Sequence, residues 1–345
     1  MVLLTRLDMI RIPFEEVEGV LVRIFARLGF DADAAKTCAR VFADASRDGV
    51  ASHGINRVPR FVSYVESGVV DVRARAERVS APGSAWEQWD GHRAAGPLSA
   101  TTCMSRAIEL ARTNGVGAVG LRNTNHWMRA GAYGWQAAEA GFLGICWTNT
   151  RPLMPPWGGR ETRLGNNPLV VAVPRAAGAV VLDMSMSQFS YGRMETAQLR
   201  GERLPVVGGY DKTGQLTDDP GPILEAERPL PIGFWKGAGL ALLLDLIAAL
   251  ISGGQTTSEI RHEPAESGLS QAFIAFDLEK AMPAAARDAL IASVLEWTAS
   301  SAPAEGSDPG IKFPGERTLK ARRDSLINGV LIDEAVWNDV LALAA

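Results

Sequence analysis

The N-terminal part of the chain carries apolar side chains at helical spacing. They recur every three or four positions and are Phe14, Val17, Leu21, Ile24 and Leu28. Gly29 follows directly, and because glycine often ends a helix, the pattern predicts a helix that stops there. A second helix is predicted over residues 33–47. The polar stretch 50–59 is predicted to be a loop before a short helix around Phe61.

From residue 98 onward, helix-like and strand-like segments alternate. Helices are predicted at residues 98–112, 130–140, 189–199, 237–251, 284–299 and 333–343. Strands are predicted at residues 118–121, 142–148, 169–173, 179–182 and 272–278, with shorter β-like runs within 76–90. This order predicts an α/β fold whose mixed-sheet core is covered by a helical layer built from both chain ends.

The same pattern suggests how the chain is divided. We assign residues 1–75 together with 282–345 to the helical region. Residues 76–281 form the α/β core, which is expected to bind cofactor and substrate. The stretch 200–234 is predicted to be a long loop of turns, and residues 300–308 (SSAPAEGSD) are the clearest flexible linker.

Composition excludes several classes of protein. The formal net charge of the 345 residues is −4 and no block of like charges occurs. Neither nucleic acid nor a membrane is therefore an expected partner. Cys38, Cys103 and Cys146 lie far apart without a CxxC pair. This spacing indicates free thiols in a reducing compartment, not a disulfide framework or a zinc site.

The most apolar stretch, residues 237–251, is interrupted by Asp245. It is also shorter than the roughly 18 to 20 residues that span a bilayer, so we interpret it as a buried core helix. Residues 1–12 (MVLLTRLDMIRI) lack the apolar core of a signal peptide. Together these features predict a soluble cytoplasmic protein.

Gly115, Gly117 and Gly120 match the GxGxxG pattern of dinucleotide-binding Rossmann folds. That pattern binds a pyrophosphate where a strand precedes the glycines and a helix follows, because the helix N-terminus then meets the phosphates. Here the predicted helix comes first and the strand follows. We therefore interpret the match as a coincidence, with Gly115 as a helix stop, and predict a non-Rossmann fold.

His53 lies in a Ser-His-Gly segment of the polar loop, with Arg57 and Arg60 nearby. An imidazole with a pKa near 6.5 is suited to donating a proton to a carbonyl oxygen at neutral pH. The two arginines could bind a carboxylate through paired hydrogen bonds. The alternative is a loop histidine that caps a helix.

His126 lies in the segment NTNHWMR, directly after a predicted buried strand. Loops at the carboxyl ends of strands are where α/β proteins bind ligands. The alternative is a histidine whose hydrogen bonds are satisfied by the neighbouring asparagines. No HExxH or CxxC motif occurs, so no metal is predicted, although His53, His126 and Asp183 could meet in space.

Two segments suit the anionic part of a cofactor. Asp183, Ser185 and Ser187 follow a predicted strand and lead into a helix. Their polar groups could face a ligand at the helix N-terminus, or they could simply cap the helix. Lys236 begins the apolar helix, where a cation is unfavourable for the helix dipole unless an anion lies nearby.

Seven segments along the chain form a distinctive pattern. They are SHGINRVPRF (52–61), EQWD (87–90), LRNTNHWMRAGAYGWQAAEAG (121–141), GICWTN (144–149), MPPWG (154–158), DMSMSQFSYG (183–192) and FWKGAG (234–239). They resemble the malate/L-lactate dehydrogenase family, whose members do not use a Rossmann fold. The resemblance extends from about Phe14 to Trp337. It implies an oxidoreductase that uses NAD(H), with NADP(H) as the other option, on a small keto acid. It also implies a homodimer with the active site near the subunit contact.

The resemblance is greatest to bacterial family members that reduce a diketo sugar acid. It implies reduction of the C2 ketone of 2,3-diketo-L-gulonate to 3-dehydro-L-gulonate. By position, His53 is the implied proton donor, and Ser52, Arg57 and His126 are the implied substrate-binding residues. The implied cofactor-binding residues are Ala179, Val180, Val181, Leu182, Asp183, Met184, Ser185, Trp235, Lys236, Gly315, Glu316 and Arg317.

The chain departs from the family pattern at two positions. Asn166 stands where the family's GTNP segment has threonine, and Ala51 stands where a tyrosine can precede Ser-His-Gly. Either change could shift the substrate preference. Malate, lactate, ureidoglycolate and piperideine-2-carboxylate therefore remain alternative substrates, and a non-catalytic sugar-acid-binding protein is the alternative from another class. The usual family start corresponds to about Met9.

Overall fold

The computed structural model describes residues 8–263, 265–304 and 310–345. In these residues the helices are α1 (Phe14–Arg27), α2 (Ala32–Arg47), α3 (Val58–Glu66), α4 (Gly96–Asn114), α5 (Gly131–Glu139), α6 (Tyr191–Leu199), α7 (Pro220–Ala226), α8 (Trp235–Ser252), α9 (Thr257–Ile260), α10 (Ala284–Ala299), α11 (Glu316–Asn328) and α12 (Glu334–Ala344). The strands are β1 (Met9–Ile12), β2 (Glu77–Arg78), β3 (Trp86–Asp90), β4 (Val116–Asn125), β5 (Leu143–Thr148), β6 (Leu169–Val173), β7 (Val180–Met184), β8 (Gly209–Tyr210), β9 (Leu216–Thr217), β10 (Ser267–Phe276) and β11 (Val330–Asp333).

A seven-stranded mixed sheet forms the centre of the molecule, in the order β2-β3-β4-β10-β5-β6-β7. β3 and β4 run parallel, and every other neighbouring pair is antiparallel. A Rossmann fold has a mostly parallel sheet, so this arrangement is different. The predicted α/β class with a mixed, non-Rossmann sheet is confirmed.

The glycines of the GxGxxG match end helix α4 and allow helices to pack closely on β4. Gly115 ends α4 in the left-handed conformation, with φ 85°. A Cβ added to Gly117 would lie 2.1 Å from the carbonyl oxygen of Ala107 in α4. A Cβ added to Gly120 would lie 2.5 Å from the carbonyl oxygen of Ile251 in α8. These two glycines therefore let one helix approach each face of β4 closely.

The two chain ends meet in a helical layer with its own hydrophobic core. β1 pairs antiparallel with β11, and α1 packs against α2 and α12. The centre of this core is a group of phenylalanine rings in mutual contact: Phe25, Phe30, Phe42 and Phe61. The layer built from both ends is as predicted, whereas the β1–β11 ribbon and helix α11 are absent from the sequence predictions.

Other predictions are wrong in detail. The stretch 200–234 is not one long loop, because it contains the hairpin β8–β9 and the short helix α7. These elements are too short to show a periodic apolar pattern. β10 begins at Ser267, well before the predicted residue 272, because its first residues are polar but paired with β4. Residues 1–7 and the 305–308 part of the predicted linker lie outside the described residues.

α8 differs from the predicted buried core helix. One face packs against β4, β5 and β10 of the sheet. The other face exposes Leu240, Leu242, Leu243, Leu246, Ile247 and Leu250. By length and composition this helix could also cross a membrane, although it packs on the sheet here. The expectation of burial is therefore correct for its inner face and wrong for its outer face.

Candidate functional site

The Ser-His-Gly segment forms a tight bend against α2. Two short 3-10 turns, Ala51–His53 and Ile55–Arg57, meet at Gly54. A Cβ added to Gly54 would lie 2.2 Å from the hydroxyl oxygen of Ser46. That oxygen also accepts a hydrogen bond, at 2.8 Å, from the backbone N–H that follows the glycine. Glycine is therefore required here, and α2 fixes the position of His53.

His53 lies beside the second candidate histidine. Its ring centroid is 5.9 Å from that of His126, with 23° between the ring planes. The hydroxyl oxygen of Ser52 lies 3.0 Å from Nδ1 of His53. This contact leaves Nε2 of His53 as the nitrogen available to a ligand.

His126 directly follows β4, and the backbone fixes its tautomer. The N–H of Met128 donates to Nδ1 of His126 at 3.0 Å. Because Nδ1 is an acceptor, the hydrogen of the neutral ring is on Nε2. His126 therefore presents an N–H donor to the space beside His53.

A carboxylate absent from the sequence predictions completes the group. Oε2 of Glu266 lies 3.9 Å from Nε2 of His126 and 4.0 Å from Nη2 of Arg57. Burial raises the pKa of Glu266, whereas Arg57, His53 and Arg151 oppose that rise. The sequence signal was weak, since Glu266 precedes a strand that was predicted to begin later.

Burial lowers the pKa of both histidines to about 3. For His53, the neighbouring His126 and Arg57 lower the pKa further, and Glu266 opposes them. For His126, Arg57 and Arg60 lower it further. Both rings are therefore neutral at pH 7 in this environment. An anion that neutralised Arg57 would raise the pKa of His53.

Two of the predicted cofactor-binding stretches meet at β7, which is an edge strand of the sheet. The N–H of Val181 donates to the carbonyl oxygen of Pro314 at 2.9 Å. Gly315 follows with φ 94°, and a Cβ added to it would lie 3.1 Å from the nitrogen of Val181. The side chains of Ala179 and Val181 are buried, so these residues offer only backbone groups to a ligand.

Asp183 links β7 to the start of α5. Its Oδ2 accepts a hydrogen bond from the N–H of Gly131 at 2.8 Å and lies 3.9 Å from Nε of Arg129. Arg129 in turn donates to buried Asp48 at 2.6 Å, on the last turn before the His53 bend. Burial raises the pKa of Asp183, whereas Arg129 and the Gly131 N–H oppose that rise. Oδ1 of Asp183 has no hydrogen bond to a described residue, so it is available to a ligand.

The third predicted stretch begins α8 beside the end of β7. The N–H of Ile232 donates to the carbonyl oxygen of Met186 at 2.8 Å, which brings Trp235 and Lys236 toward Ser185. Trp235 is 66% exposed. The remaining predicted residues lie in the same region: Val180, Leu182 and Met184 on β7, and Glu316 and Arg317 on the first turn of α11. Arg317 is exposed and has no ion pair among the described residues.

No group of three or more histidine, cysteine, aspartate or glutamate residues that could bind a metal is found among the described residues. His53 and His126 lie together, but Asp183 does not join them in such a group.

The chain matches a family model described as malate/L-lactate dehydrogenase over residues 12–341. The chain belongs to this family. Membership confirms the resemblance stated from the sequence motifs. It makes the protein an enzyme of the dehydrogenase and reductase type that uses a pyridine nucleotide cofactor.

Similar proteins within the family are known by sequence and by structure. The chain is 46% identical over 334 residues to the 2,3-diketo-L-gulonate reductase of Salmonella typhi, covering 96% of this chain and 100% of that protein. The malate dehydrogenase from Pyrococcus horikoshii OT3 superimposes with a TM-score of 0.87 at 28% identity, covering 97% and 95% of the two chains. The delta1-piperideine-2-carboxylate reductase from Pseudomonas syringae pvar. tomato gives 0.85 at 27% identity, covering 97% and 99%.

Proposed function

We propose that this enzyme reduces the C2 ketone of 2,3-diketo-L-gulonate to 3-dehydro-L-gulonate with a reduced pyridine nucleotide. The 2,3-diketo-L-gulonate reductase of Salmonella typhi supports the proposal, because the chain matches its whole length at 46% identity. The observation that carries the proposal is the convergence of His53, His126 and Arg57 at one place. These groups offer a proton donor, a fixed N–H donor and a cation, which a 2-keto acid requires.

In this proposal His53 is the proton donor. A bound reduced pyridine nucleotide would supply the hydride for the carbonyl carbon. Nε2 of His53 gives the proton to the carbonyl oxygen, while the Ser52 hydroxyl at 3.0 Å keeps the ring oriented through Nδ1. Positioned acid catalysis of this kind contributes about 10²- to 10⁴-fold to the rate.

The charge of the substrate prepares His53 for this role. Arg57 contributes to the lowered pKa of about 3, so the ring is neutral at pH 7 before an anion binds. A substrate carboxylate on Arg57 offsets its positive charge and raises the pKa of His53. Substrate binding therefore favours uptake of the proton that the reaction consumes.

The substrate carboxylate is bound by Arg57, whose planar guanidinium can donate two parallel hydrogen bonds. Nε2–H of His126 donates to the reacting carbonyl oxygen or to the same carboxylate. Both donors are next to fixed elements, since His126 directly follows β4 and Arg57 directly precedes α3. The keto group is thereby held beside His53.

The residues along β7 fit an extended dinucleotide. Alternate residues of an edge strand direct their backbone groups away from the sheet, so Asp183 offers its backbone to a ligand, whereas the N–H of Val181 already donates to Pro314. The carboxylate of Asp183 and the hydroxyl of Ser185 can bind ribose hydroxyls. Lys236 at the N-terminus of α8 is suited to bind the pyrophosphate. Gly315 has no side chain, which allows its backbone to approach β7 closely. We take NADH as the preferred form and NADPH as the alternative.

The loss of NADH absorbance on adding 2,3-diketo-L-gulonate tests the proposed function. The same assay with NADPH measures the cofactor preference. A panel of oxaloacetate, pyruvate and delta1-piperideine-2-carboxylate measures the substrate preference. Faster turnover of any panel member than of diketogulonate would overturn the substrate assignment. Absence of turnover with every keto acid would favour a non-catalytic sugar-acid-binding protein.

The proposal includes a cytoplasmic homodimer. The outer face of α8 supports this assembly, because it exposes six leucine and isoleucine side chains on one helix. Apolar patches of this kind are uncommon on monomers and mark interaction surfaces. The three free cysteines, all buried, agree with a reducing compartment.

A further inference from the structure

Glu266 is held in the substrate site by strand pairing. Ser267, the first residue of β10, pairs with Asn125, the last residue of β4. Because the two strands are antiparallel, the residue before Ser267 lies opposite the residue after Asn125. These residues are Glu266 and His126, and their side chains are 3.9 Å apart. The sheet therefore fixes Glu266 beside the site.

Glu266 is a mostly buried carboxylate without a hydrogen bond to any described residue. Its side chain is 16% exposed. Nε2 of His126 and Nη2 of Arg57 lie 3.9 and 4.0 Å from its Oε2, which is beyond hydrogen-bond distance. Buried carboxylates normally accept several hydrogen bonds, because an unmade bond costs free energy. Both oxygens are therefore available to a donor on a ligand.

The neighbours of Glu266 limit what that donor can be. Arg57 and His126 attract the carboxylate that every 2-keto acid carries. Glu266 places a carboxylate directly beside them; burial raises its pKa, and its arginine neighbours oppose that rise by favouring the ionised form. A second carboxylate on the ligand would meet this negative charge at close range, whereas a hydroxyl group would donate a hydrogen bond to it.

From this arrangement we infer that Glu266 is a specificity-determining residue that accepts a hydrogen bond from a chain hydroxyl of a keto sugar acid and rejects keto dicarboxylates. The inference rests on the proposed function and names the chemical class that the same site selects. A hydroxylated chain satisfies the carboxylate, a dicarboxylate such as oxaloacetate is repelled, and pyruvate leaves the carboxylate unbonded. Discrimination thus comes from attraction and repulsion at one residue.

The test is Glu266→Gln, which keeps the shape and removes the charge. We expect the ratio of kcat/KM for diketogulonate to that for oxaloacetate to fall by about 10- to 100-fold. Glu266→Ala is a second neutral variant should the first not fold. The matched control is Glu263→Gln, since Glu263 bonds Arg93 and Gln255 away from the site. The control should keep the wild-type ratio.

Calorimetric titration with L-gulonate and L-malate separates this inference from the proposed function. These acids test hydroxyl and dicarboxylate binding without turnover. The wild type should prefer L-gulonate, and Glu266→Gln should lose that preference. If Glu266→Gln loses the preference for L-gulonate but the wild type does not reduce diketogulonate, the proposed function is rejected and the inference stands. An unchanged ratio in both measurements would overturn the role of Glu266.

Discussion

His53 and His126 lie face to face, with 5.9 Å between their ring centroids, although they belong to different layers of the molecule. His53 is on a bend after α2 of the helical layer, and His126 directly follows β4 of the central sheet. The helical layer also supplies Arg57, and the sheet supplies Glu266. The site therefore exists only where the two hydrophobic cores are docked correctly.

Replacing Arg57 should weaken substrate binding more than it slows the chemical step. We expect Arg57→Ala to raise KM for the keto acid by about 10- to 100-fold, because a charge-assisted pair is lost. The control is Arg40→Ala, which removes an arginine whose ion pairs are within the helical layer. Steady-state kinetics measure both. An unchanged KM in Arg57→Ala would remove this residue from the carboxylate site.

The buried His126 should make the fold sensitive to acid. Its pKa is about 3 in the folded protein and close to 6.5 when unfolded, so the unfolded chain binds more protons between these values. Stability is therefore present above pH 6.5 and is lost as the pH falls below it, by up to about 1.4 kcal/mol per pH unit.

The variant His126→Asn should flatten that pH dependence, since it removes the titrating ring. Urea unfolding of wild type and variant between pH 7 and pH 4 measures the slopes. The control is His92→Asn, which removes an exposed imidazole outside the site. Equal slopes for wild type and His126→Asn would contradict a neutral, buried His126.

Gly315 should be required for cofactor binding. Its φ of 94° and the 3.1 Å distance from an added Cβ to the nitrogen of Val181 both disfavour a side chain. We expect Gly315→Ala to raise KM for NADH at least several-fold by displacing the first turn of α11. Gly310→Ala is the matched control, because Gly310 has φ 98° but open space around it. Equal KM values in the two variants would show that the close approach is not needed.

The outer face of α8 should be the contact between two copies of the chain. Leu243→Glu and Leu250→Glu place charges on this face, where the side chains are exposed. We expect these variants to elute as monomers in size-exclusion chromatography with light scattering, and the wild type as a dimer. Val79→Glu alters an exposed apolar residue elsewhere and should leave the dimer intact. Dimeric α8 variants would reject this interface.

Much of the fold could be predicted from local patterns. α1 and α2 follow the apolar periodicity within one or two residues, and the order of helix and strand around Gly115 excluded a Rossmann turn. The β1–β11 ribbon could not be predicted, because its pairing joins opposite ends of the chain. The outer face of α8 was not predicted to be exposed, because its residues are as apolar as those of the inner face; in the structure the buried residues are mainly glycine and alanine, and the leucines are mainly exposed.

The residues of the candidate site also fall into those that the sequence predicts and those that it does not. His53, Arg57 and His126 stand in polar segments of unusual composition, so the sequence marks them. Glu266 has no such marker, and only the pairing of Ser267 with Asn125 brings it beside His126. Residues whose role depends on non-local strand register are thus the ones that sequence patterns miss.

The central claim is that His53 donates the proton to the reduced ketone. The most direct test is kcat of His53→Ala with saturating 2,3-diketo-L-gulonate and NADH, compared with that of wild type and of His92→Ala. We predict a decrease of about 10²- to 10⁴-fold for His53→Ala, with normal thermal unfolding and cofactor binding, and wild-type turnover for the control. Full turnover by folded His53→Ala would contradict the account.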